Sequence, residues 1–504
     1  MTGRMPIKEM HKCIDMKTSR PLILATIIIL VTGGMISCGK KSSQPTQTVT
    51  TDSTTTTTPV NSQVAFWLTN TDMSALFQQQ NIALNFSTGP AVQPVITVDT
   101  TTTYQTIDGF GYCLTGGSAQ LIYGLPQPQR VALEQELFGT DSNHIGVSYL
   151  RLTIGASDMS ARVFSYDDNA SPSQPDTTLA NFTLSDDNLY LVPLLKEILA
   201  INPTIKLLGC PWSPPAWMKD NDNAAAGSLL PQYYPVYAQY FVKYIQAMKA
   251  NGIPIDAITP QNEPLNANNN PSNVMQDTAE DIFVRDYLGP AFQAAGITTK
   301  IIVWDHNCDV PTYPEYILAD PAAAQYVDGS AFHLYAGAIS ALSTVHDAYP
   351  TKNVYFTEQY VAGPGDFQAD LDWALLNLII GAPRNWSRNV LEWNLAADQN
   401  YGPHTTGGCS DCMGAYTING TTVTKNTSYY IIAHASKFVR PGSIRVSSNI
   451  PGNLQNVAFV TPTGQKVLIV LNNQASSATF TVQFNGKNFS ATMNGYAVAT
   501  FVWS

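Results

Sequence analysis

A chain of 504 residues, 44% of them hydrophobic, is long enough to bury one large core and a second, smaller one. Its formal net charge is −11, only 12% of its residues are charged, and no basic cluster lies in the foldable part, which excludes nucleic acid as a natural partner. With so few charges the surface must rely on Asn, Gln, Ser and Thr, a composition that suits an exported protein, and 24 Tyr and 8 Trp are compatible with packing against sugar faces, although most such rings belong to cores.

The chain opens on a targeting segment. Lys17 and Arg20 precede an apolar run that continues to Ser37, and Cys38 follows. A positive region, a short apolar region and a small residue before the cut make a secretory signal. The run is shorter than the roughly 20 residues a membrane span needs. Met35-Ile36-Ser37-Cys38-Gly39 resembles a bacterial lipoprotein cleavage box, which implies that residues 1–38 are a signal and that Cys38 becomes a lipidated first residue. A plain signal peptide or a short anchor is the alternative, and translation starts at Met1 or Met16. On this reading the protein is exported and lipid-anchored at a bacterial membrane, at the cell surface or the periplasmic face, rather than freely secreted. Residues 39–62, rich in Ser, Gln and Thr with five consecutive threonines at Thr54 to Thr58, cannot form a core and read as a flexible linker.

Structure is expected from Val64-Ala65-Phe66-Trp67-Leu68 onward, with a second strand from Val95 towards Ile107. From there short apolar runs alternate with longer helical stretches, the pattern of a βα repeat. Eight strands are predicted: Gly109 to Leu114, Val147 to Thr153, Ile205 to Cys210, Ile255 to Thr259, Ile301 to Trp304, Gly329 to Leu334, Val354 to Thr357 and Val390 to Trp393. Helices are predicted at Gln127 to Phe138, Leu189 to Ala200, Tyr233 to Ala250, Glu280 to Ala295 and Asp366 to Ile380, with a last one at Tyr429 to Val439. Pro203 and Pro254 follow helices and precede strands, as stop signals should. The count gives an α/β chain built on a (β/α)₈ TIM barrel, at residues 106–440. Beyond Pro441-Gly442, alternating strands and Asn/Gly turns make residues 441–504 a small fused β-sandwich, which the strands of residues 63–105 preceding the barrel would complete.

Five cysteines remain once Cys13 is removed and Cys38 modified, an odd set that leaves at least one free thiol or an intermolecular pairing. Cys409-Ser410-Asp411-Cys412 reads as a local disulfide staple, since a zinc site would need further ligands that the surrounding sequence does not supply.

Chemistry in such a barrel belongs at the C-terminal strand ends. Gln261-Asn262-Glu263-Pro264 ends the fourth predicted strand, where proline stops the ladder, and Thr357-Glu358 ends the seventh. Arg151, the tryptophans of Pro211-Trp212-Ser213-Pro214-Pro215-Ala216-Trp217-Met218, Asp305, His306, His333, Tyr335, Glu392 and Trp393 stand at the other ends. Singly, a His or Asp at a loop start is usually just hydrogen-bonded and a Trp usually packs, and Glu392 can equally point into the barrel wall. Together they would form a carboxylate-bearing cup with aromatic walls. Two strand-end glutamates on one mouth have the groups that glycoside hydrolysis needs: one acid to protonate the leaving oxygen, one carboxylate to attack or to activate water. The acid should have a raised pKa.

These motifs carry a family resemblance. Asp108-Gly109-Phe110-Gly111, the Pro211 to Lys219 loop, Gln261-Asn262-Glu263-Pro264, Thr357-Glu358, Trp393-Asn394-Leu395-Ala396 and His434 to Ser443 resemble glycoside hydrolase family 30, from about residue 64 to the C-terminus. The family includes glucosylceramidases, β-1,6-glucanases and β-xylosidases. The resemblance implies a retaining β-glycosidase that needs no cofactor or metal, with Glu263 as acid/base, Glu358 as nucleophile and Asn262 on the sugar 2-hydroxyl. It further implies that Arg151, Trp212, His333, Tyr335 and Trp393 line the sugar subsite nearest the cut. One departure is Gly116, where glucosylceramidase-like members have an Asp after the first strand, and its loss is expected to favour a polysaccharide-active branch. The expected substrate is a β-linked glycan, with an endo-β-1,6-glucanase as the leading reading. An exo-acting β-glucosidase, glucosylceramidase or β-xylosidase is the alternative within the class, and a non-catalytic glycan-binding lipoprotein the alternative outside it.

Overall fold

The computed structural model describes residues 61–168 and 173–504. The lipidation and linker assignments at 1–38 and at most of 39–62 lie outside them. Eight parallel strands close into a barrel: Gly109–Leu114, Tyr149–Thr153, Lys206–Cys210, Ala257–Ile258, Lys300–Asn307, Val327–His333, Asn353–Glu358 and Ser387–Asn394. These are the eight predicted strands, here called the first to the eighth in that order. The fourth is the shortest, with two paired residues, because Pro254 precedes it and Pro260 follows it. Inward-facing Tyr149, Leu208, Ala257, Ile302, Ala331, Tyr355 and Leu391 fill the barrel as one buried cluster from seven strands. At Gly111 the first strand runs so close to the second that an added Cβ would lie 1.9 Å from the Tyr149 carbonyl oxygen.

Two of the surrounding helices contain a wider π turn, at Val284–Leu288 and Leu375–Gly381. Each runs directly into a segment with proline at its start, Gly289-Pro290 and Ala382-Pro383. Proline has no N–H to return to the preceding turn and its ring crowds the carbonyl there, which a wider turn relieves.

The second module is a β-sandwich. Its strands run in the order Lys487–Met493, Ala478–Phe484, Val95–Thr106, Ile444–Ser448, Leu454–Val460, Lys466–Asn472, Val498–Trp503, Val64–Thr69 and Gln78–Gln79. The long strand Val95–Thr106 pairs with Ile444–Ser448 on one side and Ala478–Phe484 on the other. The layers close on Phe66, Phe480, Phe489, Phe501 and Trp503. Strands from both ends of the chain therefore build one sandwich, as predicted.

His434, from the last motif of the sequence resemblance, joins the modules. It lies on the helix Thr427–Ser436, fully buried, with Nε2 2.8 Å from the Thr69 hydroxyl and Nδ1 2.9 Å from the Thr500 hydroxyl, both in sandwich strands. Burial pushes the imidazole down from 6.5 to about 3, so it is neutral in the fold. Between those values the unfolded chain binds a proton that the folded chain does not, so stability falls as pH drops through this window, by about 1.4 kcal/mol per unit from this group. Thermal melting from pH 7 to pH 4 should show a shallower decline for His434→Gln than for the wild type. Parallel curves would exclude His434 as the source.

Candidate active site

The carboxyl ends of the barrel strands carry a polar layer directly above the apolar one. At its centre is Arg151 of the second strand, fully buried. Its Nη1 donates to Glu358 Oε2, while Nη2 donates to Asn262 Oδ1 at 2.6 Å and Asp305 Oδ2 at 2.8 Å. Asp305, also fully buried, accepts in addition from Thr259 Oγ1 at 2.7 Å, Thr357 Oγ1 at 2.6 Å and the Cys210 thiol at 3.0 Å, and faces His333 Nε2 at 3.1 Å. Such a charge is tolerable out of water only because every lone pair is matched and Arg151 neutralises it. The Arg151 charge and the His333 hydrogen bond overcome burial and hold the Asp305 carboxyl well below the usual range. Asp305 is thus the anchor of the layer rather than a reacting group.

Glu263 and Glu358 stand above it. Glu263 accepts from the Asn266 side-chain amide at 2.7 Å and lies 3.3 Å from His333 Nδ1. Glu358 accepts from Arg151 and, at 3.0 Å, from the Tyr335 hydroxyl. Carboxylate oxygens of the two and His333 Nδ1 all lie within 4.8 Å of one another. Single oxygens that approach this closely fit the short separation of retaining glycosidases, about 5–5.5 Å between carboxyl groups, rather than the gap of roughly 6.5–9.5 Å that leaves room for a water. The backbone is strained to achieve it: Glu263 has φ 44°, Trp304 77° and Asp305 60°. Non-glycine residues held there cost on the order of 1–3 kcal/mol each and cluster at functional sites. The hydrogen bonds Glu263 N–H to Asp305 O (3.0 Å) and Asn262 N–H to Pro211 O (2.8 Å) hold the strained segment in place.

The expectation of a raised acid pKa is corrected at Glu263. Burial pushes its carboxyl up, but the cationic His333 and the Asn266 amide outweigh it, and Glu263 sits at about 2. Burial also works against the His333 cation, yet Glu358, Asp305 and Glu263 together hold it at about 9. Glu358 is raised, burial outweighing His333 and Arg151. The exchangeable proton therefore rests on His333, facing Glu263.

The cleft above these groups has a volume of about 470 Å³ and is lined by Glu263, Glu358, Tyr335, Trp393, Asp158, Leu265, Asn266, Asn269, His306, Asn307, Tyr360, Cys409 and Cys412. Of the residues singled out in the sequence, Arg151, Asn262 and His333 lie just beneath it, against the glutamates. Trp212 is displaced from its expected place on the wall. It is 1% exposed, its ring 5.2 Å from that of Trp393 and 4.8 Å from the Arg151 guanidinium, so it supports both from behind. Trp217 is likewise internal, its indole N–H bonded to the Asp167 carbonyl. Glu392 faces outward from the barrel and meets the Ser428 hydroxyl.

Asp158 was not anticipated. It lies in the loop after the second strand, 5% exposed; one oxygen accepts from the Cys409 N–H at 3.2 Å, and the other has no partner among the described residues. Burial, with Glu358 beside it, pushes its carboxyl up to about 7. Asp158 thus adds a carboxyl to the cleft from the loop after the second strand, whereas Gly116 after the first strand does not line it. Cys409 and Cys412 are joined in a disulfide at the rim, which is the predicted staple, while Cys113, Cys210 and Cys308 are buried free thiols. Glu263, His333 and Glu358 are spaced to hold a cation, but the Arg151 charge occupies the position next to Glu358.

The model of the glycosyl hydrolase family 30 TIM-barrel domain matches residues 107–439, and that of the family 30 beta sandwich domain matches residues 442–501. The chain belongs to glycosyl hydrolase family 30. It is a glycoside hydrolase, and both modules are the family's own. Relatives include an endo-1,6-beta-D-glucanase of Neurospora crassa, 36% identical over 79% of this chain and 85% of that protein. The lysosomal acid glucosylceramidase of Mus musculus is 29% identical over 79% and 81%. Among solved structures, the endo-beta1,6-glucanase BT3312 superimposes with a TM-score of 0.82 at 36% identity, covering 88% of this chain and all of the other. In this family 30 member the barrel positions the carboxylates, and loops after the second, fourth, sixth, seventh and eighth strands shape what reaches them.

Proposed function

We propose that the protein is a retaining endo-β-1,6-glucanase in which Glu358 is the nucleophile and Glu263 the acid/base. The observation that carries the chemistry is the pair of carboxylates within 4.8 Å of each other on one cleft. The linkage is supported by relatives at 34–36% identity that are named for endo-1,6-glucanase activity, against 29% for the mouse glucosylceramidase. The absence of a carboxylate at Gly116 supports the same side. Product analysis on β-1,6-glucan beside β-1,3-glucan, xylan and glucosylceramide tests this. Short β-1,6-linked oligosaccharides should accumulate from the first, and a preference for any of the other three would overturn the reading.

In the first half-reaction Glu358 attacks the anomeric carbon and the leaving oxygen takes a proton from Glu263. His333 and Glu263 hold that proton between them, on Nδ1 in the resting state. The Glu358 charge is the chief influence that keeps it there, and ester formation removes that charge. As the bond to Glu358 forms, His333 loses its hold, and the proton passes through Glu263 Oε1 to the departing oxygen. Asn262, oriented by Arg151, is placed to bond the 2-hydroxyl. Water then attacks the ester with Glu263 as base, which restores the pair.

The pH profile follows. Activity should fall on the alkaline side as His333 deprotonates near 9. On the acid side it should fall as Glu358 is protonated, at a pH above the ordinary carboxylate value of 4.5 because its pKa is raised. A kcat/KM profile for an uncharged β-1,6-linked oligosaccharide, whose alkoxide cannot leave without a proton, with no alkaline limb below pH 10 would count against the shared proton.

The export reading rests on the cleavage-box pattern at Met35 to Gly39, with Cys38 carrying the lipid. Labelling with a radioactive fatty acid in a bacterial host should mark the wild type and not Cys38→Ser. Equal labelling of the two would remove the anchor.

A further inference from the structure

A second depression, of about 320 Å³, adjoins the cleft. Tyr335 and Tyr360 line both, with ring centroids 5.6 Å apart, so the two spaces are separated by a pair of aromatic rings. Trp373, on the helix Phe367–Ala374, lines the second space and is 40% exposed. Glu392 also lines it and is 2% exposed; one carboxyl oxygen meets Ser428, and Oε1 has no partner among the described residues. The side-chain oxygen of Gln359, beside Tyr360, is likewise buried without a partner among those residues.

A packing role alone would be served better by apolar residues, since the remaining lining includes Leu334, Val361, Ala374 and Leu378. An exposed indole beside the partly exposed Asp370 carboxylate instead suits a sugar ring, whose C–H face packs on the aromatic surface while a hydroxyl donates to the carboxylate. The shared tyrosine wall brings the two spaces within reach of one chain. We propose that this depression is a distal subsite that binds a glucosyl unit of the same glucan whose linkage is cut between Glu263 and Glu358. It rests on the glycan reading above. Asp370 receives a hydroxyl, and Trp373 is the platform.

The test compares the wild type, Trp373→Ala and Trp373→Phe on a polymeric β-glycan and on an aryl β-glucoside that occupies the catalytic cleft alone. For Trp373→Ala the ratio of kcat/KM on polymer to that on the aryl glucoside should fall about tenfold, through KM, the equivalent of one lost stacking contact. Trp373→Phe should restore most of it. An unchanged ratio, whether both activities persist or both fall together, overturns the subsite. The polymer is whichever β-glycan the wild type cleaves fastest, so a failure on β-1,6-glucan itself counts against the linkage and not against the subsite.

Discussion

Glu358→Gln is expected to lower kcat on β-glucan by about 10⁴-fold or more, the scale of removing a covalent nucleophile, while glucan still binds. The amide keeps the shape of the carboxylate, and its oxygen can still accept from Arg151 or Tyr335, the two donors that hold Glu358. Arg151 also remains matched by Asp305 and Asn262, so the polar layer should not collapse. What disappears is the ability to form and carry the glycosyl ester. Calorimetric titration with a β-1,6-linked oligosaccharide, beside kcat on the polymer, separates the two effects. Turnover within tenfold of the wild type would exclude Glu358 as nucleophile; loss of binding with loss of fold would show in the melting temperature.

Glu263→Ala should behave differently with different leaving groups. On glucan, where an alkoxide cannot depart unassisted, the loss should be about 10²–10⁴-fold, the usual value of a general acid. On an aryl glucoside with an acidic phenol the first step needs no proton. Its signature is a burst of phenol followed by slow turnover, because water lacks its base. Azide, which needs no base, should speed the slow phase and give the β-glycosyl azide. Equal losses on both substrates, with no burst, would remove Glu263 from the acid/base role. The same variant breaks the path from His333 to the leaving oxygen, so the alkaline limb near pH 9 should disappear.

The fold was legible because the βα alternation is written in runs of apolar residues, and all eight strands fall within a few residues of their expected places. The glutamates were legible because proline and a strand end mark Glu263, and Thr357-Glu358 closes an unambiguous apolar run. The missing information is of another kind. Asp158 sits among Gly155, Ala156 and Ser157, with no pattern of its own beyond following the strand of Arg151. Cys409 and Cys412 reach the cleft only because the loop after the eighth strand folds back over it. Whether Trp212 lines or supports the cleft depends on the position of Trp393, some 180 residues away, and on Arg151 beneath both. The direction of the Glu263 shift depends on a histidine from the sixth strand, a through-space effect that no local motif encodes.

The brevity of the fourth strand has a consequence for protein design. Two paired residues cannot aim the acid; the segment beyond them is clipped to the Pro211 carbonyl on one side and the Asp305 carbonyl on the other. A Gln-Asn-Glu-Pro tetrapeptide transplanted onto another barrel would therefore arrive without its direction. The transferable unit is three adjacent strand ends, with the left-handed Trp304-Asp305 step included, because the neighbours determine where the fourth strand's glutamate points.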